Sequence, residues 1–351
     1  LRNWTYLCTQ NPCFEPIAKR TPFFSFRPKQ LQAPNDLITH HDWNQYGMVS
    51  RSDVDDTYQR IKHLKIHRVI IQNGKLIEPT LRNSLQSPRL FKLACFFRQI
   101  LPFVSIPNLS FLICLEDLLQ EAPILQSVKI PFFVIAKPKI NPQGCLFPHT
   151  EWMAYWELIH HQLNRMERKI PWEQRKKELF WRGATSGYGY HKQQAPRPKI
   201  VQAAQNFPED MNVYFSAVVQ NNRLSDMDRY MRPTLPPWKQ VAYRYLLALD
   251  GNSFPSSFQW QLGSGSLVFK QTSPYDEWYY PSLQPFVHFI PVEPDGSDLM
   301  EKKQWADDHE EAGRQIAQNG KRFADTHLSP EGIIRYAVST LQKYALHMSP
   351  S

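Results

Sequence analysis

"LDGNSFPSSFQWQLGSGSLVFK", Leu249–Lys270, sets two clusters of glycine and serine between apolar runs. The preceding "YRYLLALDG" reads as a buried strand, "SFPSSFQWQL" as a helix and "SLVFK" as a second strand. A strand, helix and strand in that order form a crossover unit, so the two strands should lie parallel in one sheet. The first cluster, Gly251 to Ser253, then falls at the carboxyl edge, where open α/β sheets bind phosphates on free backbone N–H groups. The second, Gly263 to Ser266, follows the helix, where glycine lets the chain turn left-handed. Gly265 and Ser266 are kept as ligand-binding candidates beside that structural reading.

The same rhythm extends outward in both directions. "LFWRG" reads as a strand, "APRPKIVQAAQNF" as a helix, "MNVYFSAV" as a strand, and "VHFIPV" (287–292) as one more. Such alternation indicates a doubly wound parallel sheet. The loop in "FWRGATSG" (180–187) repeats the first cluster's chemistry: Arg182 stands beside Gly183, Thr185 and Ser186, so hydroxyls, bare amides and a guanidinium can meet the oxygens of a diphosphate. Three helices close the chain, starting at Ser297-Asp298, near Glu310, and at Ser329-Pro330-Glu331.

Upstream, residues 1–50 lack periodicity and read as an irregular arm. "SRSDVDDTYQRIKHLK" (50–65) is a short helix capped by Ser52 or Asp53, and Asn73-Gly74 between apolar runs marks a primed hairpin turn. A helix over 81–104, strands over 109–116 and 130–137, and a long helix over 150–168 follow. The basic stretch "RMERKIPWEQRKKE" (165–178) breaks the pattern and suggests a boundary. The expected division is 1–168, 169–328, and a C-terminal helix over 329–351 that packs back towards the first domain.

A chain of 351 residues with 42% hydrophobic and 13% aromatic content can support two cores. The net charge of +9 favours an anionic partner. Basic residues are scattered and no nucleic-acid motif is present, which argues against DNA or RNA. No apolar run reaches the ~20 residues that cross a bilayer. The five cysteines show no zinc spacing; Cys8 and Cys13 are near enough to bridge, while Cys95 and Cys114 lie in apolar runs. "DVDD" (53–56) opens a helix instead of ending a strand, "DMD" (226–228) lies in a polar loop, and the pairs His40-His41 and His160-His161 lack a third ligand. No metal is assigned.

"FWRGATSG" and "RPKIV", followed by "GSLVFK", "EWYYPSLQPFVHFIPV", "SDL" and a tryptophan in that order, resemble the CAP10 or Rumi-like glycosyltransferases of family 90. Members of that family include protein O-glucosyltransferases and capsule xylosyltransferases. The resemblance covers Leu109 to the C-terminus. It implies a GT-B fold with two Rossmann-like domains facing a central cleft, and inverting transfer from a UDP-sugar without a required metal or other cofactor. It also implies a catalytic base on the Asp that ends the strand in "IPNLSFLICLED", which is Asp117. Animal members carry an Arg on the helix before "GSLVF" that touches the donor phosphates; the matching position here is Ser257. Either Arg182 or Arg197 covers that charge, or the chain follows a bacterial-like branch with a Ser/Trp version of the helix, which "SSFQWQL" resembles; Arg182 and Arg197 are the candidates assigned to the diphosphate.

The chemistry requires a carboxylate to take the acceptor's hydroxyl proton, and positive charge with N–H groups to stabilise the departing diphosphate. Asp117 follows five apolar residues, so partial burial at a strand end should raise its basicity. Position alone favours a cap on a helix over "LLQEAP", and the resemblance reverses that order. Glu277 in "DEWYY" is the candidate for the ribose hydroxyls. The donor set is therefore Arg182, Gly183, Thr185, Ser186, Arg197, Gly251, Ser253, Ser257, Gly265, Ser266 and Glu277. The expected partners are a UDP-sugar and a protein or glycan acceptor, with the chain monomeric. A cytoplasmic setting is favoured, or the secretory lumen if a leader was removed. The competing readings are a non-catalytic basic protein that binds polyanions, and an inactive family member.

Overall fold

A computed structural model describes residues 43, 46–78, 87–119, 123–140, 143–150, 153–187, 196–220 and 224–349. The expected N-terminal arm and a Cys8–Cys13 bridge fall outside this set. In chain order the main elements are α1 (Arg51–Ile61), β1 (Ile66–Gln72), β2 (Lys75–Glu78), α2 (Pro88–Ile100), β3 (Leu109–Cys114), β4 (Phe133–Val134) and β5 (Cys145–Leu146). Then come α3 (Met153–Lys169), β6 (Lys176–Ala184), α4 (Pro196–Ala204), β7 (Met211–Ala217), β8 (Tyr243–Ala248), α5 (Phe258–Leu262) and β9 (Leu267–Gln271). β10 (Ile290–Val292), α6 (Leu299–Asp308), α7 (Glu310–Phe323) and α8 (Pro330–Ala345) complete the chain. No helix of the described residues is long and apolar enough to cross a membrane.

The architecture is α/β, in two compact units that each carry a five-stranded sheet. One unit runs to Ala154 and takes in Pro274–Ser282 and the chain from Ser329; the other holds Tyr155–Ser273 and Leu283–Leu328. The division therefore falls at the head of α3 and not in 165–178. The reason is that α3 packs within the second unit: His160 Nε2 lies 2.8 Å from Asp325 Oδ1, and Lys321 Nζ 2.8 Å from Glu167 Oε2.

The N-terminal unit has strand order β2-β1-β3-β4-β5. Asn73 and Gly74 both take positive φ, 51° and 67°, which is the primed turn that the sequence pattern demands. A two-residue turn forces β1 antiparallel to β2, and β1 also runs antiparallel to β3, while β3, β4 and β5 are parallel. Ser50, not Ser52 or Asp53, caps α1: its hydroxyl accepts from the Asp53 N–H while the Asp53 carboxylate accepts from the Ser50 N–H, a reciprocal box. The strand expected over 130–137 shrinks to Phe133–Val134, because Lys137–Pro138 leaves to pair with Tyr275–Asp276. Phe111, Phe133, Phe147 and Tyr344 form a ring cluster with centroids 5.3–6.2 Å apart. Burial pushes the Cys114 and Cys145 thiols up to about 11 and about 12, so both are inert packing groups.

The second unit's sheet has the order β10-β9-β8-β6-β7, and every pairing is parallel. Counted from β6, this is the second-first-third-fourth-fifth arrangement of doubly wound folds, whose ligand crevice opens where the winding reverses. That point lies between β6 and β8. The strand expected over 287–292 shortens to Ile290–Val292, since Phe286 takes a positive φ of 59° and Gln284 to His288 form a turn.

Tyr344 ties α8 to the first sheet through a hydrogen bond from its hydroxyl to the Ser110 carbonyl at 2.9 Å, with the ring fully buried. Tyr344→Phe keeps the ring and removes the bond, so urea denaturation should show a loss of about 1 kcal/mol. An unchanged midpoint would mean that this bond contributes nothing to docking α8.

Candidate active site

The loops that leave β6 and β8 meet at the switch point. Arg197, near the head of α4, donates from Nη1 to the Ala184 carbonyl (2.8 Å) and the Ser186 hydroxyl (2.7 Å), and from Nη2 to the Leu249 carbonyl (2.9 Å). One guanidinium thus holds both strand ends together. Burial lowers its pKa to about 10, with Asp250 opposing the shift, so it remains a cation at neutral pH. A Cβ on Gly251 would meet Arg197 Nη2 and Ser186 Oγ at 3.3 Å each, and one on Gly187 would meet the Gly251 carbonyl oxygen at 3.0 Å. Small residues are therefore needed here for close approach of the two loops. The Gly187 N–H donates to Asn252 Oδ1 at 3.2 Å and completes the junction.

Thr185 fixes the neighbouring loop: its hydroxyl donates to the Val219 carbonyl and accepts from the Val219 N–H. Gly183 lies under the Trp181 ring, which a side chain there would strike. Ser253 is buried two residues past Gly251. Gly183, Thr185, Ser186, Arg197, Gly251 and Ser253 therefore gather at the carboxyl edges of β6 and β8.

Other candidates stand elsewhere. The Arg182 guanidinium turns back along the sheet, donating to the Trp181 and Asn212 carbonyls and to Asn212 Oδ1, and packs on the Phe180 and Tyr214 rings. Its side chain follows the strand's alternation, and the structure uses it to tie β6 to β7. Gly265 and Ser266 precede β9, at the amino edge opposite Gly251. There Ser266 accepts from Arg175 and donates to the Tyr243 carbonyl, while Gly265, at φ 69°, sits against Glu167. The turn that the second cluster makes is structural. Ser257 stands at the head of α5 with its hydroxyl 3.3 Å from Gln261 Oε1. α5 itself spans only Phe258–Leu262, shorter than the expected helix and starting well past Gly251, so its N-terminus does not serve that loop. Glu277 is buried in a segment, Pro274–Ser282, that belongs to the N-terminal unit.

Asp117 follows β3 in the N-terminal unit, where Arg89 Nη2 donates to its Oδ1 at 2.5 Å. Arg89 Nη1 also donates to the Leu115 carbonyl at 2.6 Å. Asp117 is half-exposed and paired, which differs from the apolar setting expected of it. The guanidinium orients the carboxylate. Glu116 turns to Lys65 at 3.4 Å. Sequence reading missed Arg89, whose only signal is its place just inside a helix start, "SPRLFK". It also missed Asp250 and Lys270: Lys270 Nζ lies 2.9 Å from Asp250 Oδ1, both side chains being buried. Asp250 adjoins Gly251 in "LDGNS", and that adjacency was the available clue.

Residues 36–350 match the family described as Glycosyl transferase family 90, and the chain belongs to that family. Protein O-glucosyltransferase 2 of Danio rerio is 44% identical over 103 residues, covering 29% of this chain and 21% of that protein. Protein O-glucosyltransferase 1 of Rattus norvegicus is 26% identical over 205 residues, covering 56% of this chain and 49% of that protein. The chain thus spans half or less of these relatives. The Anabaena protein HepE, in a crystal structure with UDP-glucose, aligns with a TM-score of 0.35 and 11% identity over 53% of this chain and 52% of that one, a likeness too slight to argue from.

The two arginines separate under mutation. Arg197→Lys cannot reach both strand ends, so it should cost about 2–4 kcal/mol in urea denaturation and weaken UDP binding by calorimetry. Arg182→Lys should destabilise the fold yet leave UDP affinity within about two-fold. The reverse pattern would return the diphosphate to Arg182.

Proposed function

We propose that this chain transfers a sugar, glucose or xylose, from a UDP-sugar to a hydroxyl of a protein or glycan, with inversion. The observation that carries the reading is the junction at the switch point: two small-residue loops, bridged by the buried Arg197 guanidinium, in a chain of a glycosyltransferase family. Bare amides with a fixed cation are what a leaving diphosphate requires. Support for the acceptor class comes from the matched relatives, which are protein O-glucosyltransferases.

In this reading Asp117 takes the proton of the acceptor hydroxyl. The freed oxygen attacks the anomeric carbon, and the bond to the β-phosphate oxygen breaks with its electrons leaving on UDP. Charge developing on that diphosphate is met by Arg197 and the N–H groups of the two loops, in place of a metal ion. Arg89 is a positioning residue: its two short bonds hold the carboxylate against the end of β3. A base held in a fixed position needs less reorganisation before the proton moves.

Asp117→Asn keeps the shape and removes the base, so kcat for transfer from UDP-glucose or UDP-xylose should fall by about 10²-fold or more while UDP affinity holds. Arg89→Gln should lower kcat by less, with KM for the donor unchanged. Full transfer by Asp117→Asn would overturn the mechanism.

A further inference from the structure

We propose that Asp250 is the residue at the switch point that receives a hydroxyl of the bound nucleotide sugar, its Oδ2 oxygen being the acceptor. The inference rests on the donor reading above and deepens it.

Asp250 is 6% exposed and follows β8, between the carbonyl that Arg197 holds at Leu249 and the bare loop residue Gly251. Its surroundings fix the backbone N–H and one carboxylate oxygen. The backbone N–H donates to Gln271 Oε1 at 2.9 Å, and Gln271 Nε2 in turn donates to the Pro294 carbonyl at 2.5 Å. Oδ1 accepts from Lys270 Nζ at 2.9 Å, and that ammonium also donates to the Gln271 carbonyl at 2.6 Å. Oδ2 is buried and has no hydrogen-bond partner among the described residues. A buried acceptor left open is costly, more so when it carries charge, and folded proteins keep few of them. Where one persists in a rigid frame beside a ligand crevice, a donor supplied by the ligand is the physical account.

The chemistry of that donor follows from the site. A carboxylate repels phosphate oxygens, so it cannot serve the diphosphate directly. Lys270 neutralises it and lets it stand close to that negative group. A UDP-sugar carries hydrogen-bond donors on its ribose, on its transferred sugar and at one imide of the base. Hydroxyls on either side of the diphosphate are the donors nearest the loops of Ser186 and Gly251, and an ionised carboxylate binds hydroxyls strongly. Arg197 Nε at the same junction is also buried and without a partner among the described residues.

The test is calorimetry on the full chain with UDP, UDP-glucose, 2′-deoxy-UDP, 3′-deoxy-UDP and UDP-2-deoxyglucose. Asp250→Asn should weaken UDP-glucose by about ten-fold or more. That loss should disappear on the one analogue lacking the hydroxyl that Asp250 holds. A ribose hydroxyl makes the loss visible with UDP itself, whereas a sugar hydroxyl confines it to UDP-glucose. Because the single substitution strands the Lys270 charge, Asp250→Asn/Lys270→Gln is measured alongside and should show the same pattern. An equal loss on every analogue, as a purely structural role or contact with the base imide would give, overturns the proposal. So does no loss on any. Failure of the unmutated chain to bind UDP would remove the donor reading, and this proposal with it; UDP binding without the analogue pattern removes this proposal alone.

Discussion

The guanidinium of Arg197 is the constraint on which the carboxyl edge of the second sheet depends. Strands β6 and β8 end side by side at the point where the sheet's winding reverses, and one side chain meets a carbonyl at each end. Arg197 satisfies both, from Ala184 to Leu249, and takes the Ser186 hydroxyl as well. A lysine could reach one of these oxygens but not span them. The small residues around it follow from the same fact: Gly187 and Gly251 approach each other so closely that a Cβ at either would press on its neighbour. A loop composition that looks like a ligand signature is here first a packing requirement.

Charge is organised by pairing in both units. Arg89 holds Asp117, and Lys270 holds Asp250, so each carboxylate has one oxygen committed to a cation. The consequences differ with burial. Asp117 is half-exposed, where pairing orients a group that must still exchange a proton. Asp250 is enclosed, and its second oxygen has no partner among the described residues. Arg182 shows the contrast: packed on Phe180 and Tyr214 and bonded to Asn212, it is a cation whose bonds serve the sheet.

Much of this was legible in the sequence. The parallel sheet, the primed hairpin at Asn73-Gly74 and the pairing of the two small-residue loops follow from local pattern, because periodicity and turn chemistry are local properties. Arg197 was readable as a candidate, and so was Asp117 through the resemblance. What failed depended on direction and distance. Arg182 lies next to the loop in sequence, yet strand alternation sends its side chain back over the sheet. Gly265 and Ser266 share their composition with Gly251 but precede a strand instead of following one, and only that distinction separates the two edges. Glu277 belongs to a segment that leaves the second unit and pairs Tyr275–Asp276 with Lys137–Pro138, a contact between residues far apart in the chain that no pattern announces. Arg89 and Lys270 were invisible for the same reason: each is defined by a partner 28 or 20 residues away.

The central claim is that the diphosphate of a UDP-sugar binds at the junction of the loops after β6 and β8. The most direct measurement is the change in backbone amide NMR shifts of the whole chain as UDP is added. The account predicts that the largest changes fall at Thr185–Gly187 and Asp250–Ser253, with Gly265 and Ser266 unmoved. Changes centred on Gly265 and Ser266, or none at Gly187 and Gly251 with UDP in saturating excess, would contradict it.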